Sequence, residues 1–203
     1  MTSNSCLAFL KRFFHSWSTA VTFMLLGISM FLLSCQSART DPPPVQWGFE
    51  PNAIEISYVA AEDLNQYNNS DHTLLLNVYQ LSDSSDFKNY IETTDGVGRL
   101  LNLYDPDRRK TVDLKGLEDF QSFVVNPGAK KTLKIDRVKN AEWVGLVAGY
   151  FNIRPGSCTA LYRIPVKKTE EGLIRKKVST NPADLHIDIR LGANAMHTNK
   201  DGS

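Results

Sequence analysis

The chain has 203 residues, 42% of them hydrophobic, and a formal net charge of +1. That length suffices for one domain with a sizeable core, and nothing in the near-neutral balance suggests nucleic-acid binding, which usually demands a basic face. Three cysteines, Cys6, Cys35 and Cys158, are too few for a disulfide scaffold.

At the N-terminus Lys11 and Arg12 precede an almost wholly apolar run from Ala20 to Leu33, and Leu32-Leu33-Ser34-Cys35 closes it. A charged leader, an apolar core and a small residue before the cut are the plan of a secretory signal peptide. The apolar run is shorter than the roughly 20 residues that a spanning helix needs. A cysteine directly after the small residue makes the segment resemble a bacterial lipobox. That resemblance implies cleavage after residue 34, acylation of the Cys35 thiol and amino group, and attachment through lipid. Two or three acyl chains hold stably where one binds only marginally. Gln36 stands where an aspartate would retain a lipoprotein at the inner membrane, so the resemblance implies the outer membrane. The leader carries two of the 23 Lys and Arg and none of the 22 acidic residues, which leaves the mature part close to neutral.

Residues 35–48 form the lipidated start and a spacer, because Pro42-Pro43-Pro44 favours an extended polyproline path. A β domain is expected over 49–192 and a frayed tail over 193–203. Ala53 to Val59 alternates, with Ile54, Ile56 and Tyr58 on one face. Thr73 to Leu81 is a more continuous apolar strand, with Leu74, Leu76, Val78 and Gln80 on one face and Leu75, Asn77, Tyr79 and Leu81 on the other. Between these strands, Ala61 to His72 is a polar loop long enough to be functional or mobile.

Ser85-Asp86 starts a capped helical turn over Phe87–Ile91, and Val97, Leu100, Leu101 and Tyr104 have helical spacing up to Asp105-Pro106. Strands are expected at Thr111–Leu114, Phe120–Val125, Lys131–Val138, Trp143–Phe151, Leu161–Val166 and Leu185–Leu191, with a turn at Asn126-Pro127-Gly128. About eight short strands and two small helical pieces predict an all-β sandwich.

Catalytic chemistry finds little support, and neither a metal nor another cofactor is expected. His15, His72, His186 and His197 show no metal-ligand spacing within an ordered element. His186 and Asp188 share a strand face that reads as exposed and polar, and Asp105 and Asp107 flank a turn proline. Cys158 follows Arg154-Pro155-Gly156-Ser157 and is read as a buried structural thiol. Trp143 is read as core. The pairs Lys130-Lys131 and Lys167-Lys168 and the run Arg175-Lys176-Lys177 are read as solvated edges or loops. Binding is more plausible, through Asp63-Leu64-Asn65-Gln66-Tyr67 or through the helical region. Leu64 and Tyr67 are either interface anchors or side chains folded back onto the end of the sandwich.

Asp63-Leu64-Asn65, Leu76-Asn77-Val78-Tyr79-Gln80-Leu81, Asn126-Pro127-Gly128, Asp136-Arg137 and Trp143-Val144-Gly145-Leu146-Val147-Ala148-Gly149-Tyr150 occur in this order. Together with the lipobox they resemble the TssJ family, outer-membrane lipoproteins of type VI secretion systems. The resemblance spans about residues 45–166. It implies a transthyretin-like two-sheet fold, a periplasmic position, and binding to the periplasmic domain of TssM within a complex of TssJ, TssL and TssM. It also implies that the loop at Glu62–His72, with Asp63, Leu64, Asn65, Gln66 and Tyr67, is the partner-binding element. The alternatives are a periplasmic ligand- or glycan-binding lipoprotein and, more remotely, a transthyretin-like enzyme.

Overall fold

The computed structural model describes residues 44–103, 112–171 and 177–198. The leader, Cys35, most of the proline spacer, the Asp105–Asp107 turn, Arg175-Lys176 and the last five residues lie outside the described residues. The strands are β1 (Glu50–Ala60), β2 (Leu74–Leu81), β3 (Leu117–Val125), β4 (Lys130–Arg137), β5 (Trp143–Ala148), β6 (Thr159–Arg163), β7 (Val166–Glu171), β8 (Lys177–Pro182), β9 (Leu185–Leu191) and β10 (Met196–Thr198). Two helices, α1 (Ser85–Ile91) and α2 (Thr94–Leu101), follow β2.

One four-stranded sheet has the order β10-β9-β1-β4, the other β3-β2-β5-β6, and β7-β8 is a separate hairpin. Strand β1 runs antiparallel to β4 and parallel to β9. The first sheet is covered on one side only, so it alternates. Ile54, Ile56, Tyr58 and Ala60 of β1 are buried, as are Leu185, Ile187, Ile189 and Leu191 of β9, while Glu55, Ser57, His186, Asp188 and Arg190 face outward. Gln80 stitches the two sheets together. Its Nε2 donates to the Asp136 carbonyl at 2.8 Å, and its Oε1 accepts from the Val138 N–H at 3.0 Å. Both donor and acceptor ends of this buried amide are thereby satisfied.

The central strands of the second sheet, β2 and β5, are buried on both faces. Leu74, Leu76 and Val78 face the first sheet, while Asn77, Tyr79 and Leu81 lie beneath the helices. The Tyr79 hydroxyl donates to the Leu100 carbonyl at 2.7 Å, and Asn77 Oδ1 accepts from Ser122 Oγ at 2.7 Å. Burial pushes the Tyr79 phenol upward, so it stays neutral under all ordinary conditions. Phe87 of α1 lies so close to Gly145 that a Cβ there would come within 2.5 Å of the ring. Thr93 caps α2, accepting from the Gly96 N–H at 3.0 Å.

Several expectations shift. The helix expected up to Tyr104 runs over Thr94–Leu101, because the Thr93 cap starts it a turn earlier. Val112 and Leu114 are buried but unpaired in any strand; Thr111 lies outside the described residues. The expected strand Leu161–Val166 is split into β6 and β7 at Ile164-Pro165, since proline has no N–H to continue the ladder. Residues 196–198, expected in the frayed tail, form β10, where Met196 is buried and pairs with Leu191. Trp143 is half-buried on the outer face of its sheet, with Lys88 and Arg163 at 5.1 and 5.5 Å from its ring. Those cation–π contacts add to its packing against the edge of the core.

Substituting Gly145→Val forces its side chain into Phe87 and should lower the unfolding free energy by about 2 kcal/mol. Urea denaturation of the variant measures this, and an unchanged midpoint would mean that α1 yields without cost.

Candidate interaction surface

The β1–β2 connection is not a loose loop. Leu64 is 0% exposed and plugs the end of the core, a burial worth about 1.5–3 kcal/mol. Its N–H donates to the Ala61 carbonyl and its own carbonyl accepts from the His72 N–H at 3.0 Å. Asn65 is also buried. Its Nδ2 donates to the Thr73 carbonyl at 3.0 Å, and its Oδ1 accepts from the Phe151 N–H at 2.7 Å. One carboxamide thus joins the two ends of the loop to the chain beyond β5. The Gln66 N–H donates to the Ala193 carbonyl at 2.9 Å, which ties the loop to the segment after β9 as well.

At the tip, Tyr67 and Ser70 exchange backbone hydrogen bonds of 2.9 and 3.0 Å. Between them Asn68 and Asn69 take positive φ, 50° and 58°, the left-handed conformation that asparagine tolerates best after glycine. Asn65 shares it at 49°. The polar asparagine-rich composition therefore encodes a folded hairpin tip. The turn at Asn126-Pro127-Gly128 supports the start of the loop, the Gly128 N–H donating to the Ala61 carbonyl at 3.0 Å. Gly128 has φ +70°, and a Cβ there would meet the Glu62 carboxylate at 2.8 Å.

The five residues singled out in the sequence divide between two roles. Asp63 and Gln66 are exposed, Leu64 and Asn65 are internal, and Tyr67 is 39% exposed. The side chain of Leu64 is folded back onto the sandwich and is not available as a surface anchor. The Tyr67 ring stacks on Phe151, with centroids 3.5 Å apart and planes at 27°, and meets the edge of His72 at 6.4 Å. Phe151 is 60% exposed, so the pair forms an aromatic ridge. Leu75 and Val124, cross-strand partners on β2 and β3, are also exposed. Phe151 escaped the sequence reading because it was placed inside the strand Trp143–Phe151. The strand ends at Ala148, where the Gly149 N–H turns to the Leu75 carbonyl.

The remaining reactive groups are accounted for structurally. Cys158 is 1% exposed, and its thiol donates to the Arg154 carbonyl at 3.2 Å. Burial pushes that thiol's pKa up, which makes it a poor nucleophile near neutrality. Among the described residues no group of three or more His, Cys, Asp or Glu could hold a metal ion.

The family model of type VI secretion lipoproteins (VasD, EvfM, TssJ) matches residues 52–194. No curated protein matches the chain significantly. Similar solved structures include the type VI secretion lipoprotein TssJ1 from Pseudomonas aeruginosa, at 22% identity over 72% of this chain and 93% of that one, with a TM-score of 0.47. Another is Serratia marcescens Lip, a membrane-bound component of the type VI secretion system, at 15% identity over 72% and 96%, with a TM-score of 0.48. A chain in the structure of the TssM C-terminal domain from EAEC aligns at 12% identity over 72% and 96%, also with a TM-score of 0.48.

Replacing Asn65 with alanine leaves the Phe151 N–H and the Thr73 carbonyl without their partner. The expected loss of stability is about 2 kcal/mol, with faster amide hydrogen exchange at Phe151. Wild-type exchange at that amide would show that the carboxamide does not hold the loop.

Proposed function

The chain belongs to the type VI secretion lipoprotein family that includes TssJ, and on that premise we propose that it is an outer-membrane lipoprotein that binds the periplasmic domain of TssM. In this reading Cys35 carries the lipid, and the loop end of the sandwich helps assemble the membrane complex with TssL and TssM. The observation that supports it most is the aromatic ridge of Tyr67 and Phe151 on a loop that Leu64 and Asn65 hold in place. A surface already ordered loses little conformational entropy on binding, and exposed aromatic side chains are frequent hot spots of interfaces.

The family is one of type VI secretion lipoproteins, and this reading assigns the chain no catalytic step. The work of such a protein is mechanical: it fixes one end of an assembly and presents a face to the next component. Two features of the chain suit it. The lipobox sequence provides a membrane anchor of two or three acyl chains, and the sandwich provides a rigid scaffold for the loop.

Two experiments test the reading. Cys35→Ser should move the protein from the membrane fraction into the soluble periplasm and abolish secretion; unchanged fractionation removes the lipid anchor from the account. Tyr67→Ala with Phe151→Ala should weaken co-purification with TssM at least tenfold, about 1.4 kcal/mol, while thermal unfolding changes little. Full-strength binding by that double variant places the contact elsewhere. These substitutions are cleaner than removing the loop, since loss of Leu64 would open the core.

A further inference from the structure

Cross-strand register gathers basic residues at one end of the first sheet's open face. Register places His197 beside Arg190, Arg190 beside Val59, and Val59 beside Lys130, one from each of β10, β9, β1 and β4. All four side chains face solvent, and Val59 is 44% exposed. The next row is Asp188, Ser57 and Thr132, with Ser57 Oγ and Thr132 Oγ1 2.9 Å apart. Farther toward the start of β1, Glu55 lies between Lys134 and His186, and Asp136 accepts from the Asn52 N–H. No carboxylate stands in the first row, and among the described residues Lys130, Arg190 and His197 form no ion pair.

This row borders an open depression of about 380 Å³, with Val59, Ala61 and Gly192 in its lining beside Lys130, Arg190 and His197. The depression is continuous with the loop. The Ala61 N–H donates to the Leu191 carbonyl at 2.8 Å, and the Gly192 and Ala193 carbonyls accept from the Asn65 and Gln66 N–H groups at 3.5 and 2.9 Å. The loop that carries Tyr67 is therefore built onto one wall of the basic depression.

Lysine on β4 alone is explained by the protection of a sheet edge against pairing with another chain. Arg190 is not, because β9 has a strand on each side. A basic row floored by an exposed valine suits a segment that brings both carboxylates and aliphatic contact. We propose that this row is a second part of the docking surface and takes a carboxylate-bearing segment of the TssM periplasmic domain, an inference that rests on the functional reading above. A protein segment fits better than a lipid headgroup layer. The row stands at the end of β1, roughly 30 Å along the strand from where the chain enters at Glu50. Polybasic membrane sites, moreover, use clusters of several Lys and Arg near the tether.

The test uses the full-length lipidated protein in detergent and the purified TssM periplasmic domain, titrated at 50 and 300 mM NaCl. Wild-type binding should weaken as salt rises. Lys130→Glu with Arg190→Glu should bind at least tenfold more weakly at low salt and lose most of the salt dependence. The same charge change at Lys167→Glu with Lys168→Glu, on the separate β7-β8 hairpin, should leave binding at wild-type strength. Lys130→Gln with Arg190→Gln serves as the milder pair if charge reversal impairs folding, with a smaller loss expected. Wild-type affinity in both pairs overturns the inference and leaves the functional reading intact. Unchanged TssM binding with loss of binding to phosphatidylglycerol vesicles overturns it in favour of a membrane site. Failure of the wild-type protein to bind TssM removes the functional reading and this inference with it.

Discussion

Burial of β2 and β5 on both faces is the constraint around which the rest of the molecule is arranged. Leu76 and Leu146 face the opposing sheet while Tyr79 and Gly145 face the helices, so these two central strands have almost no surface left for a partner. The edge strands β3 and β6 are more open, and Leu75 and Val124 are exposed there on β2 and β3. The first sheet, by contrast, keeps a whole polar face in solvent. A two-sheet sandwich needs only one face of each sheet buried. Here the helices use up the second sheet's outer face, and what remains for interaction is the open sheet and the loop end.

The loop end is rigid for a reason that runs through single atoms. Asn65 satisfies both ends of its amide with backbone groups, one at the far end of its own loop and one beyond β5, and Leu64 anchors the same turn in the core. Neither residue has to touch a partner to matter. They hold Tyr67 where Phe151 can stack on it, and the ridge they create is made of chain segments far apart in sequence. A surface assembled in this way is specified by packing and by hydrogen bonds within the chain itself.

Charge follows the same geometry. Cross-strand register turns four isolated residues, His197, Arg190, Val59 and Lys130, into one row. The overall net charge of +1 says nothing of this, because the opposing carboxylates are displaced along the strands rather than absent. A near-neutral protein can thus present a local field strong enough to orient an encounter.

Alternation in β1 and β9 and the continuous apolar character of β2 were legible in the sequence, because a residue's face in a strand depends only on its own position and its neighbours. The turn at Asn126-Pro127-Gly128 and the two short helices were legible for the same local reason. Tertiary structure decided the rest. It turned Leu64 inward and Tyr67 outward, carried Phe151 out of a strand and onto Tyr67, and gave Met196 a buried place in β10. Each of those outcomes depends on groups dozens of residues away, such as the Phe151 N–H that Asn65 holds. Local pattern carries the period of a strand, but only the closed fold says which distant atoms complete a hydrogen bond or bury a ring.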